Sequence, residues 1–383
     1  MTTTTSPPPA AAPSKAHLPA LDGVRGIAIL VVLVHNLSII EARGTLLEKL
    51  WTAVVEAGWV GVQLFFALSG FLITGILVDD RNEPRRLRTF YVRRAIRIFP
   101  LYYAFLALYF VILPPLFPSL ARPFGEVVWY WLYLSNWSTL AYGLLPGLGH
   151  VWSLAVEEQF YLVWPWLAGR LRSATFAWVC LGAAVGSLVA RVALHAAHFD
   201  DLWLYSSTIA RVDALAMGAL VALAIRSPVW KRRLDRARGP ALGAVLVALA
   251  LLTVVTHGVN RNNPLMQIYG YSLLAIGCAL VVAYASDAGA PRWLSQTLSH
   301  PALLFFGKYS YGIYVIHPPI KVAVWTWQKA FLDARAASQP VLVDVGFELA
   351  VGVASIALAR VTWVAIERPF LRLKERVAPR AST

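Results

Sequence analysis

Residues 150–165 read HVWSLAVEEQFYLVWP. The stretch is apolar and aromatic enough for a membrane helix, yet it holds His150, a glutamine, and the adjacent carboxylates Glu157 and Glu158. An ionisable group at membrane depth costs roughly 2.5 kcal/mol or more, so such groups line a cavity or pathway. On a helix His150 and Glu157 share a face, with Tyr161 and Trp164 following Glu157 at i+4 and i+7. Glu158 points about 100° away, which predicts different partners for the two carboxylates.

Around this stretch lies a chain of 383 residues, 58% hydrophobic and 14% charged, with mean hydropathy +0.61. These values describe an all-α polytopic integral membrane protein and exclude a soluble globule. Its apolar stretches reach the roughly 20 residues a helix needs to cross a bilayer, and no barrel pattern of short alternating segments occurs. The net charge of +14 fits basic cytoplasmic loops. It does not fit nucleic-acid binding, because no soluble basic domain is there to carry it. Cys180 and Cys278 both lie in apolar stretches and the eight histidines lack metal-ligand spacing. Neither a disulfide framework nor a metal site is therefore expected. Residues 1–20, with TTTTSPPPAAAPSK, read as a low-complexity, disordered tail. The late start and span length of the apolar segment behind it argue against a cleavable signal peptide. Residues 21–370 form one membrane domain, and 371–383 a basic tail.

Ten crossings are expected, near 24–40, 58–78, 98–113, 151–168, 176–196, 206–225, 241–257, 267–285, 303–325 and 341–366. An eleventh apolar segment, 124–140, has only about 17 residues, and charge parity decides against it. The basic segments 81–97 and 226–238 both belong inside, which requires an even number of crossings between them. The segment 124–140 is thus re-entrant or interfacial, and both termini are cytoplasmic. Counting it as a span would give eleven. In this topology His150 sits at the outer mouth and Glu157 lies about 10 Å deeper.

Several other polar groups need a reason to be in apolar sequence. His35 follows the aliphatic run AILVVLV. Imidazole titrates near neutrality, so His35 is a candidate general base as well as a possible packing residue. Arg93, Arg94 and Arg97 open the third span. They are a positive-inside anchor or a phosphate clamp, since guanidinium binds phosphate bidentately. Arg211 and Asp213, two apart on a helix, face nearly opposite ways and must each find a partner elsewhere. His317 lies in YGIYVIHPP, where the prolines should break the helix and free backbone carbonyls. Gly61, Ser69 and Gly70 in GVQLFFALSGFLIT allow close helix approach.

Seven motifs in order carry a family resemblance: LDGVRGIAILVVLVHN, GVQLFFALSGFLIT, FYVRRAIRIFPLYY, HVWSLAVEEQFYLVWP, ARVDALAMGAL, YSYGIYVIHPP and IERPF, from Leu21 to Phe370. Together they resemble the membrane-bound acyltransferase-3 family, the integral-membrane O-acyltransferases of bacterial surface glycans and some macrolides. The resemblance implies an acyl-CoA donor, acetyl-CoA by default, used as a co-substrate from the cytoplasmic side, with no permanently bound cofactor. It implies an acceptor hydroxyl on a glycan or a small glycosylated molecule, and a place in the cell inner or plasma membrane. Arg25 and His35 correspond to the family's first-helix basic residue and histidine. Arg94 and Arg97 correspond to its donor-linked arginines, and His150, Trp152, Ser153, Glu157 and Glu158 to its central motif. The expected roles are catalysis by His35, Glu157 and His150, and donor binding by Arg25, Arg93, Arg94 and Arg97. Trp152, Ser153, Glu158, Tyr161, Arg211, Asp213 and His317 are expected on the acceptor side or as structural polar groups. One departure stands out: nine residues separate Arg25 from His35, where the family has ten, which turns the pair by about 100° on a straight helix. Many members carry a further esterase-like domain, and none is expected in these residues. The rival class is a transporter or flippase without covalent chemistry, which would show inverted repeats.

Overall fold

The computed structural model describes residues 18–40, 44–336 and 339–378. The expected disordered tail falls almost entirely outside them. The first half of the chain builds α1 (Pro19–Leu37), α2 (Leu46–Ala57), α3 (Val60–Asp79), α4 (Arg86–Ala107), α5 (Phe124–Trp131), α6 (Ser135–Tyr142), α7 (Trp152–Arg170) and α8 (Ser173–Ala196). The second half builds α9 (Asp201–Ser206), α10 (Thr208–Ala224), α11 (Pro228–Val255), α12 (Tyr271–Ala285), α13 (Arg292–Leu298), α14 (Pro301–Ala336), α15 (Pro340–Thr362) and α16 (Arg368–Val377). Among the described residues no strand occurs.

Eight helical segments of the described residues are long and apolar enough to cross a membrane. They contain α1, α3, α4, α8, α10, α11, α12 and α15. The other two expected crossings fall on α7 and α14, of 19 and 36 residues, whose polar content keeps them out of that count. Both carry candidate site residues. Residues 124–140 do not form one helix. They fold as α5 and α6, eight residues each, neither of span length. Tyr133 between them has φ 54°, a left-handed conformation that interrupts helix. The amides of Asn136 and Gln159 then tie α6 to its neighbours. Gln159 donates to Asn136 Oδ1 at 2.8 Å, and Asn136 donates to Thr208 Oγ1 at 2.9 Å.

The core is where α3 meets α1, α10, α12 and α7. Gly70 and Gly218 let α3 and α10 touch backbone to backbone: a Cβ on Gly70 would strike the Leu215 carbonyl, and one on Gly218 the Ala67 carbonyl. In lipid no hydrophobic force drives helices together, so such close packing has to hold them. α14 corrects one expectation. It runs unbroken through Pro318 and Pro319. The prolines lack N–H groups, so the carbonyls of Tyr314 and Val315, four residues back, lose their helical donors. Packing of α14 along α1 and α15 keeps the helix continuous. The backbone is freed without being broken.

Candidate active site

Two of the polar clusters among the described residues hold most of the candidate site residues, and α1, α7 and their neighbours contribute to both. The first gathers Arg25 of α1, Ser69 of α3, Arg94 and Arg97 of α4, and Glu157, Glu158 and Tyr161 of α7. Arg25 pairs with Asp22 at 2.6 Å and has Arg94 and Glu157 as electrostatic neighbours. The Arg94 guanidinium lies 4.2 Å from the centre of the Tyr161 ring. Tyr161 and Ser69 hydrogen-bond through their hydroxyls. Both carboxylates face Arg94, so the different partners expected for Glu157 and Glu158 converge on one cation. Arg94 Nε and Glu158 Oε1 are buried without hydrogen-bond partners. Arg97 is surrounded by Arg25, Arg94 and Tyr161 yet exposed to solvent, as a residue lining an open recess would be. The helix spacing places Arg94 and Arg97, three apart, on this face. Arg93 is turned away: it donates to the Ala378 carbonyl at 2.7 Å, because α16 packs against α4. The expected trio of arginines therefore divides.

The second cluster is built on histidine. His150 sits in a single 3-10 turn, Gly149–Val151, that leads into α7. Its ring is 5.5 Å from that of His317 and 5.2 Å from that of Tyr314. Tyr314 donates to the His150 carbonyl at 3.0 Å and shares a hydrogen bond of 2.6 Å with Ser153. His317, fully buried, donates from Nδ1 to the Ile313 carbonyl at 3.0 Å. Its Nε2 then accepts from the Asn36 amide at 3.2 Å, and these two partners assign the tautomer. His150 is different. The backbone of Val315, freed by Pro319, approaches its ring, but neither nitrogen completes a hydrogen bond. Buried polar atoms are nearly always satisfied, so such an exception calls for an explanation, and a ring held ready for a substrate proton is one.

His35 joins neither cluster. Its Nδ1 donates to the Val55 carbonyl at 2.8 Å, and Gly58 packs against its Cβ. Asn36, one residue further and about 100° round the helix, takes the inward position. It has the ten-residue separation from Arg25 that the resemblance leads one to expect of a histidine. Arg211 and Asp213 indeed do not pair. Asp213 pairs with Arg191 of α8 at 2.8 Å, and Arg211 lies among aromatic rings with Trp152. Sequence reasoning passed over Arg191, although an arginine inside an apolar span was a readable signal. It also passed over Asn36 and Tyr314, whose roles come from their partners.

A family model described as an acyltransferase domain matches residues 18–364. The chain belongs to the acyltransferase-3 family. Among family relatives, the chain is 28% identical over 329 residues to the peptidoglycan O-acetyltransferase of Listeria monocytogenes, covering 80% of this chain and 50% of that protein. It is 26% identical over 379 residues to a putative O-acetyltransferase of Staphylococcus aureus, covering 92% and 57%. With a putative peptidoglycan O-acetyltransferase of Bacillus subtilis it shares 29% over 335 residues, covering 80% and 49%. The chain thus spans about half the length of these relatives. No solved structure matches. The family match takes in both clusters, from Arg25 to His317, and makes the chain a multi-pass membrane acyltransferase domain.

Proposed function

We propose that the protein is a membrane O-acyltransferase that moves an acyl group, acetyl by default, from acyl-CoA to a hydroxyl of a glycan or a glycosylated small molecule. One observation carries this reading: His150 is a buried imidazole beside His317, about two helical turns before the carboxylates of α7 that face the arginine recess. Arg25, Arg94 and Arg97 bind the phosphates of the donor, which enters where Arg97 is exposed. Glu157 and Glu158 hold Arg94 in place. The thioester reaches along α7 for the about 10 Å from Glu157 to His150.

At the histidine cluster, His150 takes the proton of the acceptor hydroxyl as its oxygen attacks the thioester carbonyl. The carbonyl–sulfur bond breaks, the carbonyl–oxygen bond forms, and the proton passes to the leaving thiolate. Asn36 and the Ile313 carbonyl hold the His317 ring against that of His150. Direct transfer is favoured over an acyl-enzyme, because Cys180 and Cys278, both buried, lie in neither cluster. The arginine recess faces the cytoplasm with both chain termini, and the histidine cluster faces the outer side of the cell membrane. The relatives' names make a cell-wall glycan the first acceptor to try, with a macrolide as the small-molecule alternative. Purified protein given labelled acetyl-CoA and a glycan acceptor should release CoA and label the glycan. Movement of substrate across the membrane with no CoA release would instead identify a transporter.

A further inference from the structure

Inside the bundle, α8 and α10 place two arginines against one carboxylate. Arg191, Arg211 and Asp213 are all buried. Asp213 is committed to Arg191, which also donates to the Ala210 carbonyl and to Ser272 Oγ. Arg211 is left over. None of its three guanidinium nitrogens has a hydrogen-bond partner. Around it are aromatic rings, with centroids at 4.3 Å (Tyr271), 5.0 Å (Tyr205), 5.5 Å (Trp152) and 6.0 Å (Trp59). Ring faces attract a cation, but they accept the fixed fork of N–H donors that arginine presents only weakly. An unpaired ion in the interior is among the least favourable arrangements a protein adopts.

The surplus charge and the unused donor fork call for an anion that binds bidentately. Its source follows from position. Arg211 lies in the first turn of α10, at the opposite end from Arg226 and the basic segment that follows. Trp152, against Arg211, is two residues from His150, and its ring packs 4.8 Å from that of Tyr205. On Tyr205 lies a second guanidinium, that of the half-buried Arg261, at 4.6 Å. The site therefore adjoins the histidine cluster and not the arginine recess that takes the donor. We propose that Arg211 binds a carboxylate of the acceptor, so that the acceptor class is a sugar acid or another carboxylate-bearing hydroxyl compound. This rests on the acyltransferase reading and names its substrate.

The test uses the full chain in lipid nanodiscs and calorimetric titration with three probes: methyl β-D-glucuronide, methyl β-D-glucoside and sodium acetate. The glucuronide should bind about 10-fold or more tightly than the glucoside, the ratio expected of a charge-assisted hydrogen-bonded pair. Arg211→Gln should remove that preference and Arg211→Lys should keep part of it. Equal binding of the two sugars by the unaltered protein overturns the proposal, and this comparison holds even where Arg211→Gln fails to fold. Preference retained in Arg211→Gln also overturns it. Acetate binding as tightly as the glucuronide overturns the assignment to the acceptor and leaves a site for small free carboxylates. Binding needs no turnover, so preference without CoA release from acetyl-CoA would reject the acyltransferase reading and keep the anion site. CoA release without preference would do the reverse.

Discussion

Asn36 donates to Nε2 of His317 at 3.2 Å, across the packed faces of α1 and α14, while its neighbour His35 donates in another direction to Val55. A single residue of helix phase thus decides which side chain of the pair meets the polar interior. On this ground we propose His150 as the base, with His35 as the alternative.

That proposal has a direct test. His150→Ala should lower acetyl transfer by about 10²–10⁴-fold, the range a positioned general base contributes. His35→Ala should leave most of the rate, since it removes one hydrogen bond to α2. Initial rates of CoA release under saturating acceptor measure both. Loss of transfer in His35→Ala alongside normal transfer in His150→Ala would return the role to the first helix.

The division of the arginines predicts different kinetics for adjacent positions. Arg94→Ala and Arg97→Ala should raise the KM for acetyl-CoA by about 10-fold or more with a smaller change in kcat, the pattern of lost ground-state binding. Arg93→Ala should leave KM nearly unchanged, because its guanidinium is directed at Ala378. A KM effect at Arg93 equal to that at Arg94 would show that the donor contacts the outer face of α4.

The pair of Arg191 and Asp213 should behave as a buried ion pair. Asp213→Leu or Arg191→Met alone leaves an uncompensated charge and should cost about 3–5 kcal/mol of stability. Arg191→Met combined with Asp213→Leu should cost clearly less than either single change. Unfolding in detergent, followed by circular dichroism, gives the comparison. Additive losses in the double variant would rule out the coupling.

The crossing of α3 and α10 depends on having no side chain at Gly70. Gly70→Val should destabilise the fold by about 1–3 kcal/mol, the cost of overpacking, because the obstacle is the backbone of Leu215. Gly186 of α8 has open space around its Cβ position, and Gly186→Val serves as the control. Equal thermal stability of the two variants would mean that the helices separate at no cost.

The sequence by itself determined the architecture. Span-length apolar runs can be satisfied in lipid only as helices, and charge parity argued against a crossing at 124–140, where two eight-residue helices form. The ordered motifs from Leu21 to Phe370 pointed to the family. Local spacing also determined that Arg211 and Asp213 could not pair. Tertiary structure alone decided which polar groups meet. Arg93 and Arg94 are neighbours in sequence, but one faces α16 and the other Tyr161. Pro318 and Pro319 looked like a helix break, yet packing on α1 and α15 carries α14 through them. The reason is the same in each case: helix periodicity fixes the angle between residues on one helix, whereas the direction of that helix's polar face is set by its neighbours. For this protein the neighbours put His150 beside His317, turned His35 towards Val55, and gave the carboxylate of Asp213 to Arg191 and not to Arg211.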